Sequence, residues 1–377
     1  MNARRTYLDW NATAPLRPEA RAAVIAALDV VGNPSSPHGE GRCARSLMED
    51  AREQVARLLG AKPSEVVFTS GGTEANNAVL GGGWTDILLA GIEHDSVRGP
   101  ARRSGARLLD LMVAGNGIVQ PASIGEAAVS AASPKTVLVS LQVANNETGV
   151  VQPVAEAAAA AKERGFAVHT DAVQAVGRIP VDLRELGVDF LTLSAHKIGG
   201  PKGVGALVVR EGASLAPLIA GGGQERRRRA GTENVAAIAG FGAAAEAAQR
   251  DLGAMMRVRA LRDRLERDLR SLSQSAVVIG AEAERLPNTT NVAVPGMSAE
   301  TLVIALDLAG IAVSAGAACS SGKVGASHVL EAMGLAPVLA RAAVRISLGW
   351  ESTEREVAAF LEAWSTITTR ARERAVA

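Results

Sequence analysis

The amino-acid sequence predicts an α/β fold, a largely parallel sheet between helices, followed by a smaller α+β region. Three observations carry this. Short β-rich runs alternate with helical patterns through the first two thirds of the 377 residues, the pattern of βαβ units. From about Asn234 the texture changes to long runs of strong helix formers. Hydrophobic residues make up 47% but aromatics only 3%, so alanine and aliphatic side chains must fill a sizeable core.

The buried-strand candidates in chain order are "EVVFTS" (65–70), "DILLAG" (86–91), "TVLVSLQ" (136–142), "FAVHTD" (166–171), "DFLTLS" (189–194) and "GALVVR" (205–210). Between several of them lie helical stretches such as "PVAEAAAAAKERG" (153–165), with proline near the start and glycine just past the end. Residues 233–272 read as one long helix or two consecutive ones. The short runs "TNVAVPG", "IAVSAG" and "VRISLG" then alternate with helices. No internal repeat is present.

Forty basic residues against 39 acidic ones leave a formal charge of +1. That balance argues against whole-surface attraction to nucleic acid or anionic membranes. The one charge run is "RRRR" at 226–229, which reads as a solvated loop or a local nucleic-acid patch. Two cysteines cannot build a disulfide framework. The N-terminus lacks the apolar core of a signal peptide, and no stretch reaches 18 uninterrupted apolar residues. A cytoplasmic protein without a membrane segment is expected.

Reactive groups in α/β sheets collect at the carboxyl ends of strands. "FAVHTD" ends on Asp171, and "DFLTLSAHK" runs into Ser194, His196 and Lys197. "VVFTSGGTEANN" passes from a strand through Gly71, Gly72 and Thr73 into a helix, which places free N–H groups and a hydroxyl at a helix N-terminus, suited to phosphate. The Lys-Ser/Thr ending of a P-loop is absent. Each feature alone has a bland reading, a solvated lysine or a turn that binds nothing. Together, a phosphate cradle, an acid for a ring nitrogen and a lysine for an aldehyde are what pyridoxal phosphate requires. The remaining puzzle is Cys319, set among small residues in "SAGAACSSGK" (314–323). Cys43, in "GRCARSLMEDAREQVARLLG", reads as a packing residue.

With these motifs in place, the chain resembles the cysteine desulfurases of the NifS/IscS type, fold-type I (class V aminotransferase-like) pyridoxal-phosphate enzymes. "YLDWNATAPLRP", "GNPSSPHGEGR", "FTSGGTEANN", "EHDSV", "NNETGVVQP", "HTDAVQAVGRIPVDL", "SAHKIGGPKGVGAL", "GGGQERRRRAGTENV", "AACSSG" and "VRISLG" stand in the family's order. The resemblance implies a large cofactor-binding domain over 15–250, with a mostly parallel seven-stranded sheet between helices. It implies a small α+β domain from 1–14 and 251–377 that carries the catalytic cysteine loop.

Residue by residue, the resemblance makes Lys197 the Schiff-base lysine and Asp171 the partner of the pyridinium nitrogen. Gln174 would bond the phenolic oxygen, and Gly72, Thr73, Ser194 and His196 would hold the phosphate. Asn146 would sit beside the ring, and His94 would stack on it and shuttle protons. Thr232 matches a threonine that reaches the neighbouring subunit's phosphate, which implies a homodimer. Arg345 matches the clamp on the substrate carboxylate, with Asn33 contacting the same group. His38 and His328 receive no catalytic role, and no metal site is implied.

The reaction implied converts L-cysteine to L-alanine. Lys197 removes the Cα proton, and the Cys319 thiolate takes the sulfur as a persulfide. Gly316, Gly322 and Gly325 with Ser320 and Ser321 keep the cysteine's tether supple. The sulfur then passes to an acceptor protein for iron–sulfur cluster assembly or tRNA thiolation. Ala317 stands where many relatives carry serine. A selenocysteine lyase or another pyridoxal-dependent C–S lyase or aminotransferase remains an alternative on the same fold. An inactive scaffold protein is the alternative outside enzymes.

Overall fold

The computed structural model describes residues 5–128, 136–316 and 327–376. Its strands are β1 (Thr6–Tyr7), β2 (Val66–Thr69), β3 (Asp86–Ala90), β4 (Arg107–Leu111), β5 (Val137–Ser140), β6 (Ala167–Asp171) and β7 (Phe190–Ser194). They continue as β8 (Gly205–Val209), β9 (Val277–Val278), β10 (Thr289–Ala293), β11 (Ile311–Ala312), β12 (Ser314–Ala315) and β13 (Ala343–Ser347).

Seven strands form the central sheet in the order β2-β8-β7-β6-β5-β3-β4. Only β8 runs against its neighbours, so β2, β3, β5, β6 and β7 all end at one edge. Apart from β4 these strands are buried, because helices cover both faces of the sheet. Val66 and Phe68 of β2 join one core and Val67 the other. Leu88 of β3 likewise parts from Ile87 and Leu89, the alternation a pleat imposes on a sheet buried on both sides.

All six expected strands form. β4, which the apolar-run reading passes over, is an edge strand whose residues are largely exposed. The 233–272 stretch resolves into two helices, Val235–Arg250 and Met255–Leu272, separated by a short 3₁₀ turn at Leu252–Ala254.

A second core draws on Leu8, the helix Met255–Leu272, strands β10 and β13, and the helix Glu354–Val376. Around it lies a sheet of order β12-β13-β10-β9. Its register sets Arg345 of β13 between Asn291 of β10 and Ser314 of β12. β1 pairs with β11, and the following Asp9 bridges to Ser347. The N-terminal segment is thereby carried past the carboxyl edge of the central sheet.

Cys43 is a correction to the sequence reading. The helix Gly39–Leu58 buries Ala44, Met48, Ala51 and Val55, but leaves Cys43 exposed. Among the described residues no helix is long and apolar enough to cross a membrane.

Candidate active site

Strand ends converge on a cavity of about 510 Å³ lined by Gly72, Thr73, His94, Asn146, Asp171, Gln174, Ser194, His196 and Lys197. These nine come from five separate stretches of chain, and parallel strand direction brings them to one edge. Gly71 takes φ +155° to turn β2 into the helix Gly72–Leu80, a conformation that side-chain-bearing residues rarely adopt. Gly72 sits so close to β6 and β7 that a Cβ would meet Val173 Cγ2 at 2.9 Å. Gly71, Gly72 and Thr73 at the start of that helix line the cavity, together with Ser194.

Asp171, at the end of β6, is buried and fixed from two sides. Its Oδ2 accepts from Asn76 Nδ2 at 2.8 Å and its Oδ1 from the Val173 amide at 2.9 Å. Asn76 is oriented in turn, because Thr192 Oγ1 donates to its Oδ1 at 2.6 Å. The amide's nitrogen is then committed to Asp171 and to Ser96 Oγ at 2.9 Å. Asn76 lies four residues after Gly72, on the same helix face. That spacing is legible in "GGTEANN", but the role of Asn76 follows only from its partners Asp171 and Thr192.

His94 caps the helix Asp95–Arg103. Its Nδ1 accepts from the Ser96 amide at 3.1 Å and lies 2.8 Å from Ser96 Oγ. With Nδ1 accepting, the neutral ring carries its proton on Nε2. Burial lowers the pKa, against the opposing pull of Asp171. His196 is held at about 4, first by burial and then by Lys197, Lys202 and Arg178; its Nδ1 lies 3.2 Å from Thr13 Oγ1. Within β6, His169 is wholly buried, its Nδ1 lies 2.9 Å from Ser140 Oγ, and burial drives its pKa down to about 3. Burial favours the neutral form of all three imidazoles.

Lys197 stands in the turn after β7. Its Nζ donates to the Ala12 carbonyl at 2.9 Å and to that of Asn11. Gln174 Nε2 donates to the same Asn11 carbonyl at 3.1 Å. The motif "DWNAT" thus supplies backbone acceptors, a role invisible to a search for reactive side chains.

Arg345 lies one residue behind the cavity wall. Its Nη1 donates to the carbonyl of cavity-lining Asn146 at 3.2 Å and its Nη2 to Asp9 Oδ1 at 2.7 Å. Its buried Nε has no hydrogen-bond partner among the described residues. Two other expected residues stand outside the cavity. Asn33 is exposed and caps its own turn, with Oδ1 accepting from the Ser35 amide at 2.8 Å. Thr232 is exposed beside a smaller cleft, which shares Ser70 and Gly203 with the main cavity. Cys319 falls outside the described residues.

The donor set fits pyridoxal phosphate: helix-start amides and hydroxyls for a phosphate, a fixed carboxylate for a ring nitrogen, and an amine for an aldehyde. Among the described residues no group of His, Cys, Asp and Glu could hold a metal ion.

Residues 6–360 match the class-V aminotransferase family. The chain is 46% identical to a cysteine desulfurase of Cereibacter sphaeroides, over 95% of this chain and 94% of that protein. It is 41% identical to the cysteine desulfurase IscS of Dictyoglomus turgidum, over 94% and 92%. Among solved structures, a NifS-like protein from Rickettsia africae superposes with a TM-score of 0.91 at 37% identity, covering 97% of this chain and 99% of its own.

Proposed function

The chain belongs to the class-V aminotransferase family, in its cysteine desulfurase branch, and from that membership we propose that it moves the sulfur of L-cysteine onto Cys319 and releases L-alanine. The C–S bond of the substrate breaks and an S–S bond forms on the enzyme. The thiol proton and the Cα proton are redistributed between product and persulfide, so no outside oxidant or reductant is needed. The observation that carries the reading is the meeting of Lys197, Asp171 and the Gly72–Thr73 helix start around one cavity.

When bound, pyridoxal phosphate supplies an electron-poor ring that accepts charge from the substrate's Cα. Lys197 would hold its aldehyde and later take the Cα proton at Nζ. Asp171, kept in place by Asn76, would keep the ring nitrogen protonated. Gly72, Thr73, Ser194 and His196 would hold the phosphate, and Gln174 the phenolic oxygen. His94 can move a proton at Nε2. Arg345 would bind the substrate carboxylate, a role suited to its planar guanidinium. Asn33 is exposed in the isolated chain, so its part in carboxylate binding would require the site to be completed by a second copy.

The exposure of Thr232 beside the shared cleft supports a homodimer in which it serves the neighbouring site. We also assign the large domain to 15–250 and the small one to 1–14 with 251–377; the separate core around Leu8 and Trp364 supports that division. A cytoplasmic location and a sulfur-acceptor protein, for iron–sulfur assembly or tRNA thiolation, complete the reading. The "RRRR" run favours no nucleic-acid role. Arg226 and Arg228 donate to the Pro63 and Ser64 carbonyls, and Arg229 pairs with Glu74.

The test is alanine and sulfur release from L-cysteine by the purified yellow protein, with L-selenocysteine run alongside. Cys319→Ala is expected to keep the visible band and lose persulfide transfer, and Lys197→Ala to lose borohydride-fixable cofactor. A colourless wild-type protein, or full sulfur transfer by Cys319→Ala, would overturn the assignment. Activity confined to L-selenocysteine would replace it with a lyase.

A further inference from the structure

Arg178 is a buried cation whose partners are oxygens of neutral groups. It lies in the turn after β6, only 7% exposed. Its Nη1 donates to the Gln174 carbonyl at 2.7 Å and to Gln174 Oε1, and its Nη2 reaches the Trp10 carbonyl at 3.4 Å. Among the described residues no carboxylate lies within ion-pair distance of it. Burying a guanidinium without a counter-charge is expensive, so the site must draw something from it. Burial, with repulsion from Arg345, pulls its pKa down to about 9, which leaves it charged at neutral pH.

The chemistry of the contact fixes what that something is. A guanidinium has five donors and no acceptor, so the Gln174 amide must present Oε1 to Arg178. Nε2 is then turned away, and one of its two protons goes to the Asn11 carbonyl at 3.1 Å. The other is left for the cavity that Gln174 lines. Without Arg178 the amide could flip and offer an acceptor where a donor is needed. The same guanidinium places a fixed positive charge directly behind Gln174.

We propose that Arg178 is a positioning residue for the phenolic oxygen of pyridoxal phosphate: it locks Gln174 with Nε2 toward that oxygen and favours its anionic form through its charge. This rests on the cofactor reading above. Other charged or titratable groups face the same place: Asp171 from β6, His94 capping the helix Asp95–Arg103, His196 and Lys197 from the turn after β7, Lys202 beyond it, and Arg345 from β13. Variants at 178 leave all of these in place, so the comparison isolates one charge.

The readout is the pH midpoint of the holoenzyme's visible absorption band, measured without substrate. Arg178→Gln is expected to raise the midpoint by about one unit, because a nearby positive charge that disfavours protonation is gone. Arg178→Lys keeps a charge but cannot span both Gln174 Oε1 and the Trp10 carbonyl, so it raises the midpoint less. Gln174→Ala raises it too, and in the Arg178→Gln background it adds less than it does alone.

A purely structural Arg178 would lower the melting temperature in both 178 variants and leave the midpoint where it was. That result, or full additivity of Arg178→Gln and Gln174→Ala, overturns the proposal while the desulfurase reading stands. Should Arg178→Gln not fold, an unmoved midpoint in Arg178→Lys overturns it equally. A wild-type protein without a visible band would overturn both.

Discussion

The Glu147 carboxylate accepts a hydrogen bond from the Ser327 hydroxyl at 2.5 Å, and a Cβ on Gly316 would sit 2.7 Å from the same Oε2. One buried acid therefore touches the residues on either side of the segment that carries Cys319. Burial pushes its pKa up to about 7, against the opposing pulls of Ser327 and Arg345. The folded state thus keeps a proton that the unfolded chain gives up near pH 4.5, and stability falls as pH rises between those values. The loss at alkaline pH is on the order of 3 kcal/mol. Glu147→Gln, which can still accept from Ser327, has no proton to lose. Its melting temperature relative to wild type is expected to climb between about pH 5 and pH 8. A difference that stays flat across that range would show that Glu147 titrates normally.

The strain in the arginine run has an anchor of its own. Glu225, Arg226 and Arg227 take φ values of 44°, 57° and 65°, which side-chain-bearing residues avoid. Glu225 is held by both Arg52 Nη atoms at 2.8 Å and by the Phe68 amide at 2.9 Å, with Arg52 stacked over the Phe68 ring. Neutralising Glu225 leaves the buried Arg52 with only the part-exposed Glu49, 3.2 Å from its Nε, as counter-charge, a loss of up to about 3–5 kcal/mol. Glu225→Gln should show a loss of that size in denaturant unfolding. A change below about 1 kcal/mol would mean that the pair is solvated in the native state.

How much of this was legible in the sequence depends on what each residue's neighbours in the chain reveal. The buried strands were readable because runs such as Val137–Ser140 are apolar on both faces, and their ends named Asp171, Ser194 and Lys197 directly. β4 was not, because an exposed edge strand has no apolar continuity. Cys43 looked like a core residue by type, yet the helix buries Ala44 and Met48 and turns the cysteine outward. Arg345 was recognisable from "VRISLG", but its pairing with Asp9 spans 336 positions and depends on strand pairing that local pattern does not encode. Asn76, Glu147 and Arg178 act by orienting other side chains. Such roles emerge only from three-dimensional hydrogen-bond partners.

The chain Thr192–Asn76–Asp171 gives a graded prediction for turnover. Asp171→Asn removes the charge that would hold the ring nitrogen's proton, and kcat is expected to fall by about a hundredfold or more. Asn76→Ala keeps the carboxylate but deletes its 2.8 Å bond. It should cost about tenfold in kcat, with little change in KM for L-cysteine. Steady-state alanine production measures both. Equal losses in the two variants would mean that Asn76 supports the fold of the site as a whole.

Arg345 tests substrate recognition separately from chemistry. It pairs with Asp9 through Nη2, and its Nε is buried, so a bound carboxylate would compete with Asp9 for the guanidinium. Arg345→Lys keeps the charge and loses the planar fork. A lost charge-assisted hydrogen bond is worth about 1.5–3 kcal/mol, so KM for L-cysteine should rise by about ten- to a hundredfold. Because the bond persists from ground state to transition state, kcat should change far less. Asp9→Asn releases the guanidinium toward the substrate, so KM should stay the same or fall, while the unpaired buried cation lowers the melting temperature. Were Arg345→Lys to reduce kcat alone with KM unmoved, the guanidinium would be serving the reacting centre and the carboxylate would be bound elsewhere.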